Sequence, residues 1–494
     1  MDNAEKIELP EITGNRQEGK AIKLSKRAVI SAVVVVLLLV IVSYVLTFVL
    51  PRGEYQRDER GSLIDGTYQE NPELDGITWW QFLLAPLMIL SPTVEGSTMI
   101  YVIIVLMLVI GAIFTVLDES KILIYLIESM TAKFKNRKYI LIFAISFTFM
   151  FLGSAVGMFE ELIALVPVIV MLCYAMGWDA LVGLGISILA ASCGFAAGVV
   201  NPFSVGVAQT LGGIPLFSGI GPRILTFVLA YIIVTGFIFV YAKRIDKSPS
   251  LSPVYALDLV RKKEFSFNID AFVRDKKKDM AIRWFAWWMI FVVICSIASI
   301  FFQPLAEYVM YITVAVYIIG GIGAAVLCGI RGKRLFKLLG KGSLALVPAV
   351  LMILVAGGVR YIVTEGDIMD SILYLIIESI RHQNPNTALL LIYAVVFVFE
   401  IFVPSGSAKA LLIMPIIFDI CGVVGVHPQV AVLAFTFADG FSNMFLPTNA
   451  GLLLILGLTT VEYPKWIKWS FLILIALLAM TIGVLMLSQN AIYA

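Results

Sequence analysis

Four ionisable side chains stand inside otherwise apolar sequence: Glu160 and Glu161 in VGMFEELIALVPVI, Lys409 in PSGSAKALLIMPII, and Asp439 in AFTFADGFSNMF. A charge in a segment apolar enough to enter a bilayer is costly, so it marks an ion path, a substrate site or a structural pair. Catalysis fits these residues poorly. A nucleophile needs a base within reach, and the chain has only two histidines, His382 and His427. Neither a histidine triad nor a histidine-rich metal centre is expected, and no GxxxxGK[ST] nucleotide loop is present. The five cysteines lie in apolar surroundings without paired spacing and read as small buried hydrophobes. The expected chemistry is therefore the holding and moving of charge, not an enzyme's.

The two charged segments are copies of one another. Val156–Ile169 aligns without a gap on Pro404–Ile417, at the offset that separates Pro167 from Pro415, and Lys409 falls on Glu161. Glu128-Ser129-Met130 recurs as Glu378-Ser379-Ile380 upstream. Each copy is followed by a polar, proline-containing interruption of an apolar run, Asn201-Pro202-Phe203 in the first and Leu446-Pro447-Thr448-Asn449 in the second. Proline removes a backbone donor and frees a carbonyl. In a membrane such backbone persists only where it is buried in protein or lines a cavity. Paired interruptions in two repeats are the pattern by which secondary transporters build a midplane site.

The tips preceding these breaks, Gly153-Ser154-Ala155-Val156-Gly157 and Pro404-Ser405-Gly406-Ser407, carry small residues that permit a tight reversal. Helices starting after Gly157 and Gly406 would aim unpaired N–H groups at the midplane, which suits a carboxylate. Ser154, Ser405, Ser407, Asn201, Pro202, Thr448 and Asn449 supply the remaining polar groups of the expected substrate site. Asp439, with Asn443 close behind it, and Glu160 lead the candidates for a coupling ion or a charged group of the substrate, with Glu161 and Lys409 beside them. The plainer alternatives are a helix-dipole cap at Glu160, a structural ion pair between Glu161 and Lys409, and an aqueous vestibule around Glu400. Four acids against one lysine favour a substrate with a positive group over a doubly anionic one.

The chain is 494 residues long, 60% hydrophobic and 14% charged, with a mean hydropathy of +0.96, which excludes a soluble or disordered protein. Ala28–Leu50 alone is long enough to cross the roughly 30 Å of hydrocarbon. Basic clusters at Lys133–Lys138, Lys243–Arg283 and Arg331–Lys341, with a basic tail before the first span, place those segments and the N-terminus in the cytoplasm. The acidic loop Pro51–Thr78 then lies outside. The expected organisation is a tail over 1–27, a first repeat over 28–243 with a hairpin at 138–177 and a broken helix at 180–212, a basic linker over 244–282, and a second repeat over 283–494 with its hairpin at 387–422 and broken helix at 428–459. The linker reads as a solvated connection, with anionic lipid headgroups as the alternative partner. This is an all-α polytopic fold: two inverted repeats, about nine transmembrane helices, two re-entrant helical hairpins and two broken helices.

At the GSAVGMFEE tip, the VVNPFSVGVAQ break and the LPTNAG break, the sequence resembles the YfcC/DcuC-like anaerobic carrier family of the ion-transporter superfamily, over about 28–489. The resemblance implies paired re-entrant hairpins, a homodimer with a scaffold domain, and elevator-type movement of the hairpin-bearing domain. It also implies four-carbon dicarboxylates or basic amino acids as substrates. Sodium-coupled members of the superfamily carry Ser-Asn-Thr signatures that these tips lack. The function expected is secondary transport, by antiport or ion-coupled symport, of a small carboxylate-bearing metabolite across the inner or plasma membrane. An amino acid such as arginine or ornithine stands ahead of a dicarboxylate. No cofactor, metal or nucleic acid is expected, and sodium or a proton is the candidate coupling ion. A channel is the distant alternative, since no ring of like charges or filter sequence appears.

Overall fold

The computed structural model describes residues 26–57, 64, 66–94, 97–264, 273–302, 305 and 308–493; the tail over 1–25 and part of the basic linker lie outside them. The described chain is helical apart from one two-stranded ribbon, Gly53–Glu54 against Gln69–Glu70. Each expected span has its helix: Lys26–Val49, Ser97–Glu119, Ala180–Leu211, Ile220–Lys247, Lys276–Phe301, Val309–Leu327, Val347–Glu365, the pair Pro428–Ser442 and Ala450–Leu458, and Tyr463–Leu487. Lys276–Phe301 carries all its charges, Lys276, Lys277, Lys278, Asp279 and Arg283, in its first eight residues and is uncharged beyond, as a helix entering a bilayer requires. Leu, Ile, Val and Phe side chains are exposed along these helices, among them Leu38, Ile232, Phe291 and Leu472. In water such a surface would be a liability; in lipid it is the solvent-facing side.

The expected hairpin over 138–177 consists of Tyr139–Val156, a short 3₁₀ stretch Glu160–Leu165, and Val166–Ala175. The second consists of Pro385–Phe399 and Gly406–Val424. Between the hairpins the chain crosses five times, at Ala180–Leu211, Ile220–Lys247, Lys276–Phe301, Val309–Leu327 and Val347–Glu365. An odd number of crossings puts the open ends of the hairpins on opposite faces, which makes the repeats inverted. Small residues bring the first hairpin and the first broken helix together: a Cβ on Gly194 would meet the carbonyl oxygen of Met150 at 2.0 Å, and one on Gly153 that of Ala191 at 2.5 Å. The most hydrophobic stretch of that broken helix is wholly enclosed by protein, the condition under which broken backbone survives in a membrane.

Three of the described helices were not read from the sequence, one of them Tyr255–Glu264 in the linker. Trp79–Met88 packs on Val347–Glu365, and Gly332–Ala345 lies on Ser97–Glu119 before a bend of 41° into the following span. Gly111 and Gly342 make that contact, where an added Cβ would meet backbone oxygen at 2.5 and 2.2 Å.

Each face carries a clasp. On the ribbon side, Tyr68 stacks on Tyr374 at 4.2 Å and donates to Ser371 Oγ at 2.9 Å, while Arg57 Nη2 pairs with Asp370 Oδ1 at 3.0 Å. These contacts tie the acidic loop to Met369–Arg381, the amphipathic helix before the second hairpin. On the linker side, Asp258 in Tyr255–Glu264 accepts from Ala180 N at 2.7 Å, from the Tyr174 hydroxyl at 2.9 Å, and from the Thr460 hydroxyl. One carboxylate thereby touches the end of the first hairpin, the start of the first broken helix and the end of the second. Burial pushes Asp258 up from 3.8 to about 6, against the pull of those donors.

Candidate functional site

The first tip turns at the last residue of the expected Gly153–Gly157 stretch. The helix runs on through Ser154 to Val156, and the reversal falls on Gly157, whose φ of 72° is the left-handed region that favours glycine. Gly157 has a second reason to be glycine, since a Cβ there would meet Asn201 Oδ1 at 2.5 Å. Gly153 is small for packing, not for turning. Beyond the turn, Glu161 folds back so that its Oε2 accepts from Phe159 N at 3.3 Å, and Tyr317 donates to the Glu161 carbonyl at 3.0 Å.

Ser154 and Asn201 hold the first break from behind. Ser154 Oγ accepts from Val199 N at 3.0 Å and its carbonyl from Val200 N at 3.2 Å. Asn201 caps the restarted helix, its Oδ1 accepting from Phe203 N at 2.9 Å and Ser204 N at 3.3 Å, with Pro202 at the first position where a missing N–H does no harm. The second break uses the same device: Asn449 Oδ1 accepts from Leu452 N at 2.9 Å. Asn449 Nδ2 also donates to Asn443 Oδ1 at 2.7 Å. The carbonyls that this break frees are taken by the last span, Met444 by Trp466 Nε1 at 2.7 Å and Phe445 by the Tyr463 hydroxyl at 2.6 Å.

Tips and second break meet around one cavity of about 660 Å³, within the roughly 300–1,000 Å³ of small-molecule sites. The first tip contributes Gly157, Glu160 and Glu161, and the second Ser405, Gly406 and Ser407. The second break contributes Asp439, Asn443, Thr448 and Asn449. Both tips end at this shared space, so neither hairpin crosses the molecule. Ser154, Asn201, Pro202 and Lys409 do not line it, which corrects their expected place at the substrate: the first break presents Phe203 and Phe195 instead. The cavity has an aromatic side and a polar side, and the two-fold scaffold encloses a site without two-fold symmetry.

The plainer alternative, a structural pair between Glu161 and Lys409, is not what the described residues form. Lys409 is fully buried, with Nζ 2.9 Å from Asp439 Oδ1 and paired also with Glu400 Oε2. Glu400, 1% exposed, faces that ammonium and not an aqueous vestibule. The Asp439 carboxylate covers the start of Gly406–Val424, since a Cβ on Gly406 would meet its Oδ2 at 2.7 Å. This narrows the picture of open helix N-termini: the Phe159 amide at the first tip is taken by Glu161, while Asp439 Oδ2 lies over the second without a hydrogen bond to it. Asp439 Oδ2 and Thr448 Oγ1 have no hydrogen-bond partner and lie at the cavity. A buried polar atom left unpaired costs about 1–3 kcal/mol, which a ligand group could recover.

Arg360, in the span Val347–Glu365, also lines the cavity and was missed. Its signal was available, because it is the one arginine in the apolar run 343–363.

A family model, DcuC, the C4-dicarboxylate anaerobic carrier, matches residues 30–490. The chain is 31% identical over 383 residues to a protein of Escherichia coli (strain K12) named "Putative basic amino acid antiporter YfcC", covering 74% of this chain and 73% of that one. It is 26% identical over 407 residues to a protein of Haemophilus influenzae whose name states no function, covering 81% and 78%. Among solved structures, that of Neisseria gonorrhoeae MtrF, from a class of antimetabolite efflux pumps, is 12% identical with a TM-score of 0.44, covering 93% of this chain and 95% of that one.

Proposed function

The chain belongs to the C4-dicarboxylate anaerobic carrier family, and from that premise we propose that this membrane transporter exchanges cationic amino acids of the arginine and ornithine kind. The observation that carries the reading is the charge of the cavity. Among the described residues Glu160, Glu161 and Asp439 face it with Arg360 as the one basic lining residue, and the Phe159 amide at the first tip already serves Glu161. In this reading Arg360, Ser405, Ser407, Thr448 and Asn449 hold the α-carboxylate, and Glu160, Glu161 and Asp439 take the cationic end. The printed name of the Escherichia coli relative agrees.

The mechanism proposed is elevator-type alternating access in a homodimer of the cell membrane, with the N-terminus in the cytoplasm. Hairpins and broken helices would move together, since each hairpin packs on its own broken helix and the two broken helices pack on each other. The positions of the basic segments support the orientation.

Counterflow in proteoliposomes tests the reading. Labelled arginine should enter vesicles preloaded with ornithine, saturably. The second reading, a four-carbon dicarboxylate carrier, is favoured by the family's name and by Arg360 at the cavity. Entry of labelled fumarate against internal succinate, without movement of arginine, would establish it.

A further inference from the structure

In the second repeat a fixed ammonium stands where a dissociable cation would otherwise be needed. Lys409 lies in the first turn of Gly406–Val424, Glu400 closes the other arm of the same hairpin, and Asp439 belongs to the broken helix. One ammonium joins all three elements. Two carboxylates buried this close need a cation between them or must give up a charge by taking up a proton. A carrier can meet that need with a dissociable ion, whose gradient then drives the cycle, or with one of its own side chains.

The first repeat shows how particular this arrangement is. Glu161 occupies the position of Lys409. The position of Asp439, placed by the spacing of the breaks, falls on Gly194, which lies against the Met150 backbone with no room for a side chain. Lysine and aspartate are therefore present together in the second repeat and absent together from the first.

We propose that Lys409 is a tethered counter-ion: its ammonium stays between Glu400 and Asp439 throughout the cycle and replaces a coupling sodium at the second hairpin. This deepens the reading of the cavity as the substrate site and rests on it. A cation that never dissociates couples no ion gradient to transport, so flux follows substrate gradients alone, as exchange requires. Asp439 spends Oδ1 on the lysine and keeps Oδ2, unpartnered and at the cavity, for the substrate's positive group. Lys409 is thus a positioning residue, setting the charge of the site without touching what is carried.

The test compares melting temperatures of the purified full-length protein in sodium chloride and in choline chloride at pH 8 and equal ionic strength. The wild type should melt at the same temperature in both. Lys409→Ala should be destabilised in choline and gain about 3 °C or more in sodium, because the vacated acids now bind the ion. The double variant Glu400→Gln, Lys409→Met keeps the wild-type net charge and leaves Asp439 as the one vacated acid, so it should gain in sodium by a smaller amount; it decides the matter where the single variant does not fold. A wild type stabilised by sodium, or variants that fold and ignore it, overturns the proposal. Counterflow separates this from the substrate reading. Arginine–ornithine exchange that needs sodium refutes the tethered counter-ion and leaves the substrate reading intact. Sodium-independent exchange of fumarate alone refutes the substrate reading and leaves the counter-ion intact.

Discussion

The backbone nitrogen of Ala196 lies 2.1 Å from the place a Cβ on Gly440 would occupy. The two broken helices cross at that point, one residue from Asp439, with no side chain between them. Gly440→Ala should force them apart at an overpacking cost of about 1–3 kcal/mol. Gly236, with nothing within 4 Å of its Cβ position, provides the control. Thermal melting of both variants in detergent should show a loss for Gly440→Ala and none for Gly236→Ala; equal behaviour would contradict the close crossing.

Removing one acid from the cavity should cost cationic substrate dearly. A hydrogen bond to a charged group is worth about 1.5–3 kcal/mol, so Asp439→Asn and Glu160→Gln should each weaken arginine binding by about 10–100-fold. Isothermal titration on purified variants reads this directly. Asp439→Asn should also lower stability, because it takes one of two carboxylates from Lys409. Unchanged arginine affinity in both variants would move the cationic end elsewhere.

Arg360 should act on the other end of the substrate. Arg360→Lys keeps the charge but loses the planar fork that matches a carboxylate. It should therefore raise the KM for arginine more than it changes kcat, while agmatine, which lacks the carboxylate, competes equally with wild type and variant. A variant that loses agmatine as well would place Arg360 outside carboxylate recognition.

Asp258 predicts a pH dependence opposite to that of a salt-bridged acid. Its folded value, about 6, lies above the 3.8 of the free side chain, so the folded state binds the proton more tightly. The stability it contributes is complete below about pH 3.8 and is lost as the pH rises to about 6, by something on the order of 3 kcal/mol. Asp258→Asn keeps an acceptor for Ala180 N and offers an amide to the Tyr174 and Thr460 hydroxyls. Chemical denaturation from pH 4 to 8 should find it at least as stable as wild type at pH 7.5, with the acid-side slope reduced.

The frame of the fold was legible because local rules set it. Asn384-Pro385 and His427-Pro428 start helices with a cap and a proline at the first position, and basic clusters fix which ends share a face. The first tip was placed over Gly153–Gly157 but not resolved within it, because the two glycines look alike in sequence while one serves helix packing and the other the turn. The alternative partner weighed for Lys409 fails for a related reason. The repeat aligns it with Glu161, but alignment reports common ancestry and contact is decided by packing, which places it against Glu400 and Asp439. Of the ten predicted residues that line the cavity, all come from the tips and the second break; the first break looked equally polar, yet Asn201 is buried behind Gly157 and Phe203 stands at the cavity in its place.

The linker clasp imposes an order on synthesis. Asp258 emerges from the ribosome with its early partners, Tyr174 and Ala180, already made, but Thr460 follows 202 residues later. At roughly 5–20 residues per second that wait is about 10–40 s. Throughout it a carboxylate meant for burial has two of its three donors, so the first half is inserted yet unfinished. Only the arrival of the final two helices completes it, and a nascent chain stalled before Thr460 would present an open linker to any protease that tests membrane proteins as they are made.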